Sequence, residues 1–461
     1  MLYVTVLQPR LYFCDQKKRH KNETYMTISA HWLGMITSPN IPVTAVLIGA
    51  GNRGLDVYGR IATKYSNLLR FVAVADPDPS RRAMFAEEHH LPPERVFKSW
   101  SELFEAGRMA DAAFVCTQDQ LHTTPTLAAL AAGYHVLLEK PMATTVDECV
   151  QISTAPQPGQ ILQICHVLRY TPFYSTVAEV VRSGQLGRIV DVSMRENVSH
   201  WHYAHSFIRG NWHNRALSSP MILAKCCHDL DIMQWLVGEK ARYISSFGSL
   251  QFFGLSNKPF GALERCIDGC PVKDCLWDAR RIYLDLMPPP YAGWPINVLT
   301  NEPTSLENRV QALQEGPYGR CVFQVNDHDV VDHQVVSVEF SSGVTGSLTM
   351  QGHSPEEGRT IRVTGTYGTL VGDFGPNAQI KLQLNTGGES DMSPTYSHVG
   401  HGGGDLGLVE DFVQLIKQGR PEGLTSGRQS LESHLMAFAA DQARLARQVV
   451  DMTKYRQQVG G

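Results

Sequence analysis

Two folded parts are expected from this sequence. The first is an α/β domain on a doubly wound parallel sheet. The second is an α+β domain on an open, largely antiparallel sheet. Short apolar runs alternate with helical stretches from Val43 to about residue 164, the pattern of successive βαβ units. A glycine-rich turn closes the first of those runs. Beyond residue 165 the texture changes to strand-like alternation broken by tight turns, which marks hairpins. At 461 residues the chain is too long for one ordinary core. Hydrophobic residues at 43% and charged residues at 19% suit a folded chain and exclude a disordered one. A net charge of −4 gives no support to binding of nucleic acid or of an anionic membrane.

Residues 1–42 are expected to be a poorly ordered N-terminal extension, with Met26 and Met35 as alternative starts. The basic run Lys17–Lys21 follows the apolar start instead of preceding it, unlike a signal peptide. No apolar run reaches the roughly 20 residues of a membrane-spanning helix. Ten cysteines without a secretory signal point to reduced thiols and a cytoplasmic protein. The first domain, residues 43–164, reads as strands at 43–50, 71–76, 111–117, 135–141 and 160–166, with a short segment near 96–100. Helices are expected at 55–66, 80–90, 101–106 and 124–132. The second domain, residues 165–461, opens with a helix at 175–183. Strands follow at 188–198, 242–253, 333–340, 344–350, 359–364, 369–374 and 380–384. A helix at 224–236 is expected to pack on that sheet, and residues 255–330 read as an irregular insertion carrying Pro and Cys. A glycine-rich stretch, 401–404, precedes a terminal helix pair at 405–418 and 430–452.

Gly49-Ala50-Gly51-Asn52-Arg53-Gly54 fits G-x-G-x-x-G directly after a buried strand and at the start of a helix. The first glycine permits the tight turn, the second lets backbone approach a diphosphate, and the third allows close helix–strand packing. The helix N-terminus offers free amides and partial positive charge to phosphates. Asp76 ends the next strand, 22 residues after Gly54, where an acidic residue takes the adenosine ribose hydroxyls. The first domain is therefore expected to be a Rossmann domain that binds a nicotinamide dinucleotide. Asp76 favours NAD, because its charge repels a 2′-phosphate. Arg53, Arg81 and Arg82 argue the other way, since an arginine accepts that phosphate, so NADP stays open.

Glu139-Lys140-Pro141 follows the strand at 135–138, at the edge where ligands of open α/β sheets lie. With GAGNRG, VADPD (74–78), CTQDQLH (116–122) and KCCHDLDIMQWLVG (225–238), the chain resembles the glucose-fructose oxidoreductase/inositol dehydrogenase/MocA (Gfo/Idh/MocA) family over about residues 43–455. That resemblance implies a Rossmann domain and an α/β domain with an open sheet, in an enzyme that oxidises or reduces sugars and cyclitols with NAD(P). It implies that Lys140 acts at the reacting hydroxyl and that His228 is the general base or relays the proton with Lys140. It places Thr117, Gln118, Asp119 and His122 along the cofactor, and Glu139 beside the nicotinamide ribose. It also implies a homo-oligomer. Asp231, three residues after His228, shares its helix face and is expected either to orient the imidazole or to cap a polar face. The family's aspartate four residues before that histidine is Ala224 here, so the helper carboxylate is missing or comes from elsewhere, and Lys225 is a candidate substrate ligand.

Residues 197–213 are rich in His and Trp. Their aromatic faces suit the apolar faces of a sugar ring, with His205, Arg209, Asn211 and Trp212 as substrate contacts. Arg169 is counted with them. The same segment also reads as a structural loop or, through His200, His202 and His205, as a metal site. Cys266, Cys270 and Cys275, with Cys321 as a fourth, are candidate ligands for a structural zinc. Buried reduced thiols and a disulfide are the other readings. The expected function is hydride transfer between a nicotinamide and a carbinol carbon of a sugar, polyol or related small molecule. A non-catalytic dinucleotide-binding sensor and a redox-assisted glycoside hydrolase or lyase are the alternatives.

Overall fold

Six short apolar strands build the first sheet: β1 (Val43–Ile48), β2 (Leu69–Ala75), β3 (Val96–Phe97), β4 (Ala112–Val115), β5 (His135–Leu138) and β6 (Leu162–Ile164). Their order is β3-β2-β1-β4-β5-β6 and every pairing is parallel. Both faces are covered, so the strands are apolar at successive positions. Ala45 and Leu47 enter one core with Tyr58, Phe71 and Phe114. Val46 and Ile48 point the other way, into a core with Leu103, Leu130 and Ile152. Strand order reverses between β1 and β4, which opens a crevice at their carboxyl ends. The computed structural model describes residues 41–300, 305–325, 327–395 and 401–460. The N-terminal extension, apart from residues 41 and 42, lies outside them.

The expected helix at 55–66 begins earlier. A wide, π-type segment, Asn52–Gly59, runs into the α-helix Arg60–Lys64. Gly49 has φ +94°, and a Cβ on it would meet the Cys116 carbonyl oxygen at 2.6 Å. Only glycine suits that conformation and that approach.

The second sheet has nine strands: β7 (Ile189–Ser199), β8 (Ala241–Ser249), β9 (His333–Phe340), β10 (Thr345–Ser354), β11 (Gly358–Gly365), β12 (Gly368–Phe374), β13 (Gln379–Leu384), β14 (Glu389–Asp391) and β15 (Val450–Asp451). They lie in the order β14-β13-β12-β11-β7-β10-β9-β8-β15. β7 pairs with β10 in parallel, and the other pairings are antiparallel. One face buries Val192, Met194, Leu348, Met350, Ile361 and Val363 with residues of the helices Pro172–Arg182, Cys227–Val237 and Gly427–Ala446. The helix expected at 224–236 is two pieces, Met221–Ala224 and Cys227–Val237, broken at Lys225 and Cys226. The helix expected at 430–452 stops at Ala446, before β15 and a further helix, Met452–Val459. Among the described residues of the insertion, one α-helix, Leu306–Glu315, and several single turns form.

The helix Gly404–Gln418 returns to the first sheet. Leu408, Val409, Phe412 and Val413 join the core around Leu47 and Phe114, and the Phe412 and Phe114 rings meet edge-on at 5.8 Å. The chain from Pro42 to Gly461 is thereby one compact unit. Among the described residues no helix is long and apolar enough to cross a membrane.

A Cβ on Gly54 would lie 2.1 Å from the Gly49 carbonyl oxygen. Gly54→Ala should therefore cost about 3 kcal/mol of stability, as overpacking against backbone does. Urea unfolding measures it, and an unshifted midpoint would contradict the close approach.

Candidate functional site

The crevice between β1 and β4 is bordered by the glycine turn, the ends of β2 and β4, and the Lys140 loop after β5. Gly51 precedes the helical segment and makes no side-chain capping bond. A Cβ built on it meets nothing within 4 Å. Backbone there faces open space, beside an uncapped helix N-terminus, so the residues fit a dinucleotide diphosphate. Asn52 is the first residue of that segment. Asp76 is buried at the end of β2. Its two carboxylate oxygens accept from Ala50 N at 2.7 Å and Asp78 N at 2.8 Å, which leaves lone pairs for ribose hydroxyls. Arg82 Nη1 donates to the Asp76 carbonyl at 2.5 Å.

Arg53 does not turn to the diphosphate. Its Nε donates to Glu139 Oε1 at 2.6 Å, and its Nη2 donates to Tyr58 OH and Asp405 Oδ1, each at 2.8 Å. Its side chain is thus no phosphate ligand, and its argument for NADP falls. Glu139 is buried in the same network, where it also accepts from Tyr58 OH at 2.7 Å. Burial pushes the Glu139 carboxyl up, but Arg53 and the Tyr58 hydrogen bond bring it below its ordinary value. Asp405 is likewise held well below the carboxylate range, against burial, by Arg53 and His401.

On the opposite lip, Gln118 is exposed and Thr117 half-buried with its hydroxyl on the Leu121 carbonyl. His122 is a correction. It is buried, with Nδ1 2.7 Å from the Pro141 carbonyl oxygen and Nε2 3.1 Å from that of Thr117. It joins the loops after β4 and β5 and has no nitrogen left for a cofactor. Asp119 is also taken, by Trp212 Nε1 at 2.9 Å and Ser219 Oγ at 3.3 Å.

Lys140 Nζ donates to the Ala224 carbonyl at 2.8 Å. The broken helix supplies that acceptor from Ala224, the sequence position at which the family pattern has an aspartate. His228 is buried next to this lysine, and its Nδ1 has no hydrogen-bond partner. Burial above all, then Lys140, drives its pKa well below the ordinary value, so the ring is neutral. Asp231 does not orient it. Both oxygens of Asp231 accept from Arg169, from Nε and Nη2 at 2.7 Å each. Arg169, 2% exposed, is therefore structural and not a substrate ligand. His228 is instead flanked by His166 and His401, ring centroids 5.7 and 6.3 Å away.

Lys225 lies 3.4 Å from Glu196 Oε1. Arg359 Nε contacts Glu196 Oε2 at 2.6 Å and Asp229 Oδ1 at 3.0 Å. Glu357 accepts from the Ser199 amide and hydroxyl and pairs with His202 Nδ1. Burial pushes Glu196 up despite Arg359 and Lys225. Glu196, Asp229, Glu357 and Arg359 were not expected from the sequence. They come from three separate stretches of chain, Glu196 from β7, Asp229 from the helix of His228, and Glu357 and Arg359 from just before and at the start of β11, and no local spacing joins the set. His401 and Asp405, 3.0 Å apart, stood in and directly after the glycine-rich stretch already noted.

The aromatic segment is mostly internal. His205 is buried, with Nδ1 2.8 Å from Tyr283 OH and its ring stacked on Tyr318 at 4.6 Å. Arg209 is buried too, with bonds to the carbonyls of Arg320 and Trp277 and to Cys266 Sγ. Both are tied to other parts of the protein by these bonds. Trp212 bridges to Asp119, and Asn211 is exposed. Among the described residues, no three His, Cys, Asp or Glu side chains are placed to hold a metal ion. This overturns both the zinc reading and the His200, His202 and His205 reading. Cys266, Cys270, Cys275 and Cys321 are free thiols lining a cavity of about 10 Å³ with Val272, Val322 and Phe323. The Arg209 guanidinium already contacts Cys266 there, a cation where a zinc reading needs the metal.

Two family profiles match. Residues 43–200 match the oxidoreductase family with NAD-binding Rossmann fold, and residues 178–452 match its C-terminal alpha/beta domain. The chain belongs to the Gfo/Idh/MocA oxidoreductase family. It is 24% identical over 390 residues to the putative oxidoreductase YteT of Bacillus subtilis, covering 80% of this chain and 87% of that protein. It is 32% identical over 197 residues to inositol 2-dehydrogenase 2 of Saccharopolyspora erythraea, covering 42% of this chain and 53% of that enzyme. Two solved structures share the fold. The aldose-aldose oxidoreductase of Caulobacter crescentus, complexed with glycerol, has a TM-score of 0.64 at 18% identity, over 89% of this chain and 99% of that one. A levoglucosan dehydrogenase in complex with NADH and levoglucosan has a TM-score of 0.64 at 17% identity, with the same coverage.

Removing Arg169 strands a buried carboxylate. Arg169→Met should cost about 3–5 kcal/mol of stability, and Arg169→Met with Asp231→Leu should regain much of it. Denaturant titration of both variants tests this. A stable Arg169→Met protein with only a weakened substrate KM would restore the ligand role.

Proposed function

We propose that this family member is an NAD(P)-dependent dehydrogenase or reductase acting on a CH–OH group of a sugar, polyol or related small molecule. The observation that carries the reading is the pair at the crevice: the Lys140 ammonium anchored on the Ala224 carbonyl, beside the neutral His228. The named activities of the relatives, on inositol, aldoses and levoglucosan, support the substrate class.

Backbone amides from Gly51 to Arg53 would hold the diphosphate, Asp76 the adenosine ribose, and the Thr117–Gln118 lip the far side of the cofactor. NAD is favoured because the Asp76 carboxylate repels a 2′-phosphate. The bound nicotinamide supplies the hydride acceptor at its C4. Lys140 donates a hydrogen bond to the reacting oxygen and stabilises the negative charge that develops as its proton leaves. His228, neutral and unpartnered at Nδ1, takes that proton. The products are a carbonyl, reduced cofactor and one proton, and the reverse sequence reduces a carbonyl. The polar set around Glu196, Lys225, Glu357 and Arg359 suits the remaining hydroxyls of a polyhydroxylated substrate.

A panel of aldoses, cyclitols and levoglucosan should give reduced cofactor, with NAD preferred. Lys140→Ala should still bind NADH and lose about 10²–10⁴-fold in turnover, the range for a positioned acid–base group. Unchanged turnover would remove Lys140 from the chemistry. Tight NADH binding with no turnover on any member would favour a sensor.

A further inference from the structure

The insertion at about 255–330 has no part in the chemistry above, yet one of its residues reaches the Rossmann domain. Asn297 Nδ2 donates to Asp56 Oδ2 at 2.6 Å, a contact between residues 241 apart. Asp56 lies four residues beyond Asn52, so it stands about one helical turn above the diphosphate cradle. A carboxylate only accepts, so Asp56 fixes the flip of the Asn297 amide: nitrogen toward Asp56, oxygen away from it. That oxygen, Oδ1, is buried and has no hydrogen-bond partner. An orphaned buried acceptor is unusual and calls for a donor.

A second residue of the insertion, Tyr318, packs on the body of the second domain. Tyr318 is half-buried and stacked on His205. Burial raises its pKa, and Arg81, in the helix that follows Asp76, acts against that rise. The insertion thus reaches the glycine-turn side at Asp56.

The loop that leads to Asn297 is held in place from the second domain. Arg309 is fully buried, and its guanidinium gathers the carbonyls of Tyr283, Met287 and Tyr291. Tyr283 in turn bonds His205. One cation thereby ties the loop leading to Asn297 to the body of the second domain.

We propose that Asn297 belongs to the dinucleotide site, where this part of the insertion forms the outer wall over the bound cofactor. The Asn297 oxygen takes a ribose hydroxyl, since a phosphate oxygen has no proton to give it. The cofactor would then leave only after the Asn297–Asp56 contact opens. This rests on the dinucleotide reading of the crevice.

The test needs no substrate. NADH is bound to the whole protein, chased with excess NAD, and its release followed by stopped-flow fluorescence. Asn297→Ala should release NADH about two- to tenfold faster, the loss of a neutral hydrogen bond. Lys273→Ala, exposed elsewhere on the insertion, should release it at the parent rate. If Asn297→Ala melts early, Asn297→Asp keeps the shape, sets a second carboxylate against Asp56, and should also speed release. Parent-like release from folded Asn297→Ala or Asn297→Asp overturns the proposal and leaves the function standing. A parent protein that binds neither NADH nor NADPH overturns both.

Discussion

One guanidinium, that of Arg53, fixes the position of everything in the crevice. It ties the glycine turn to Glu139, the residue before Lys140, and to Asp405, 352 residues away in the chain. Losing one member of such a buried set leaves charge without a partner, at about 3–5 kcal/mol. The network therefore sets the distance between the glycine turn and Lys140. Tyr58 closes it with bonds to Arg53 and Glu139, and stacks edge-on against Phe114 beneath the sheet. Polar geometry above and apolar packing below are thus one construction.

The replacement of a carboxylate by Ala224 changes the charge of the site more than its shape. A backbone carbonyl still orients the Lys140 ammonium. It adds no negative charge and has no proton to trade. The neighbouring His228 keeps a buried Nδ1 with no partner. Beyond it, His401 is about 43% exposed and bonded to Asp405, so the crevice is linked electrostatically back to the Arg53 network.

The fold was legible because its signals are local. The run at 43–48, the glycine turn and Asp76 are contiguous or nearly so, and the alternation of βαβ units set the parallel sheet. Missed strands were short: β14 has three residues and β15 two, too few to show a period, and the nine-residue helix Val146–Thr154 was missed as well. The helix break at Lys225 and Cys226 was invisible because neither residue is a helix breaker; the surrounding packing overrides propensity there. Side-chain destinations were the least legible. Arg169, Arg209 and His205 have the chemistry of sugar ligands, yet each satisfies a buried partner supplied by a distant segment. An arginine that pairs with Asp231 looks, in sequence, like one that waits for a hydroxyl. The four cysteines carried a ligand-like spacing, but apolar neighbours and the Arg209 cation surround them.

Lys140 Gly51 and His228 come from three separate stretches of chain, and their convergence on one cofactor is the centre of this account. A crystal structure of the protein with NAD tests it most directly. The diphosphate should lie on the amides that follow Gly51, with the nicotinamide ring entering the space between Lys140 and His228. A dinucleotide bound elsewhere, or one whose nicotinamide turns away from Lys140, would contradict it.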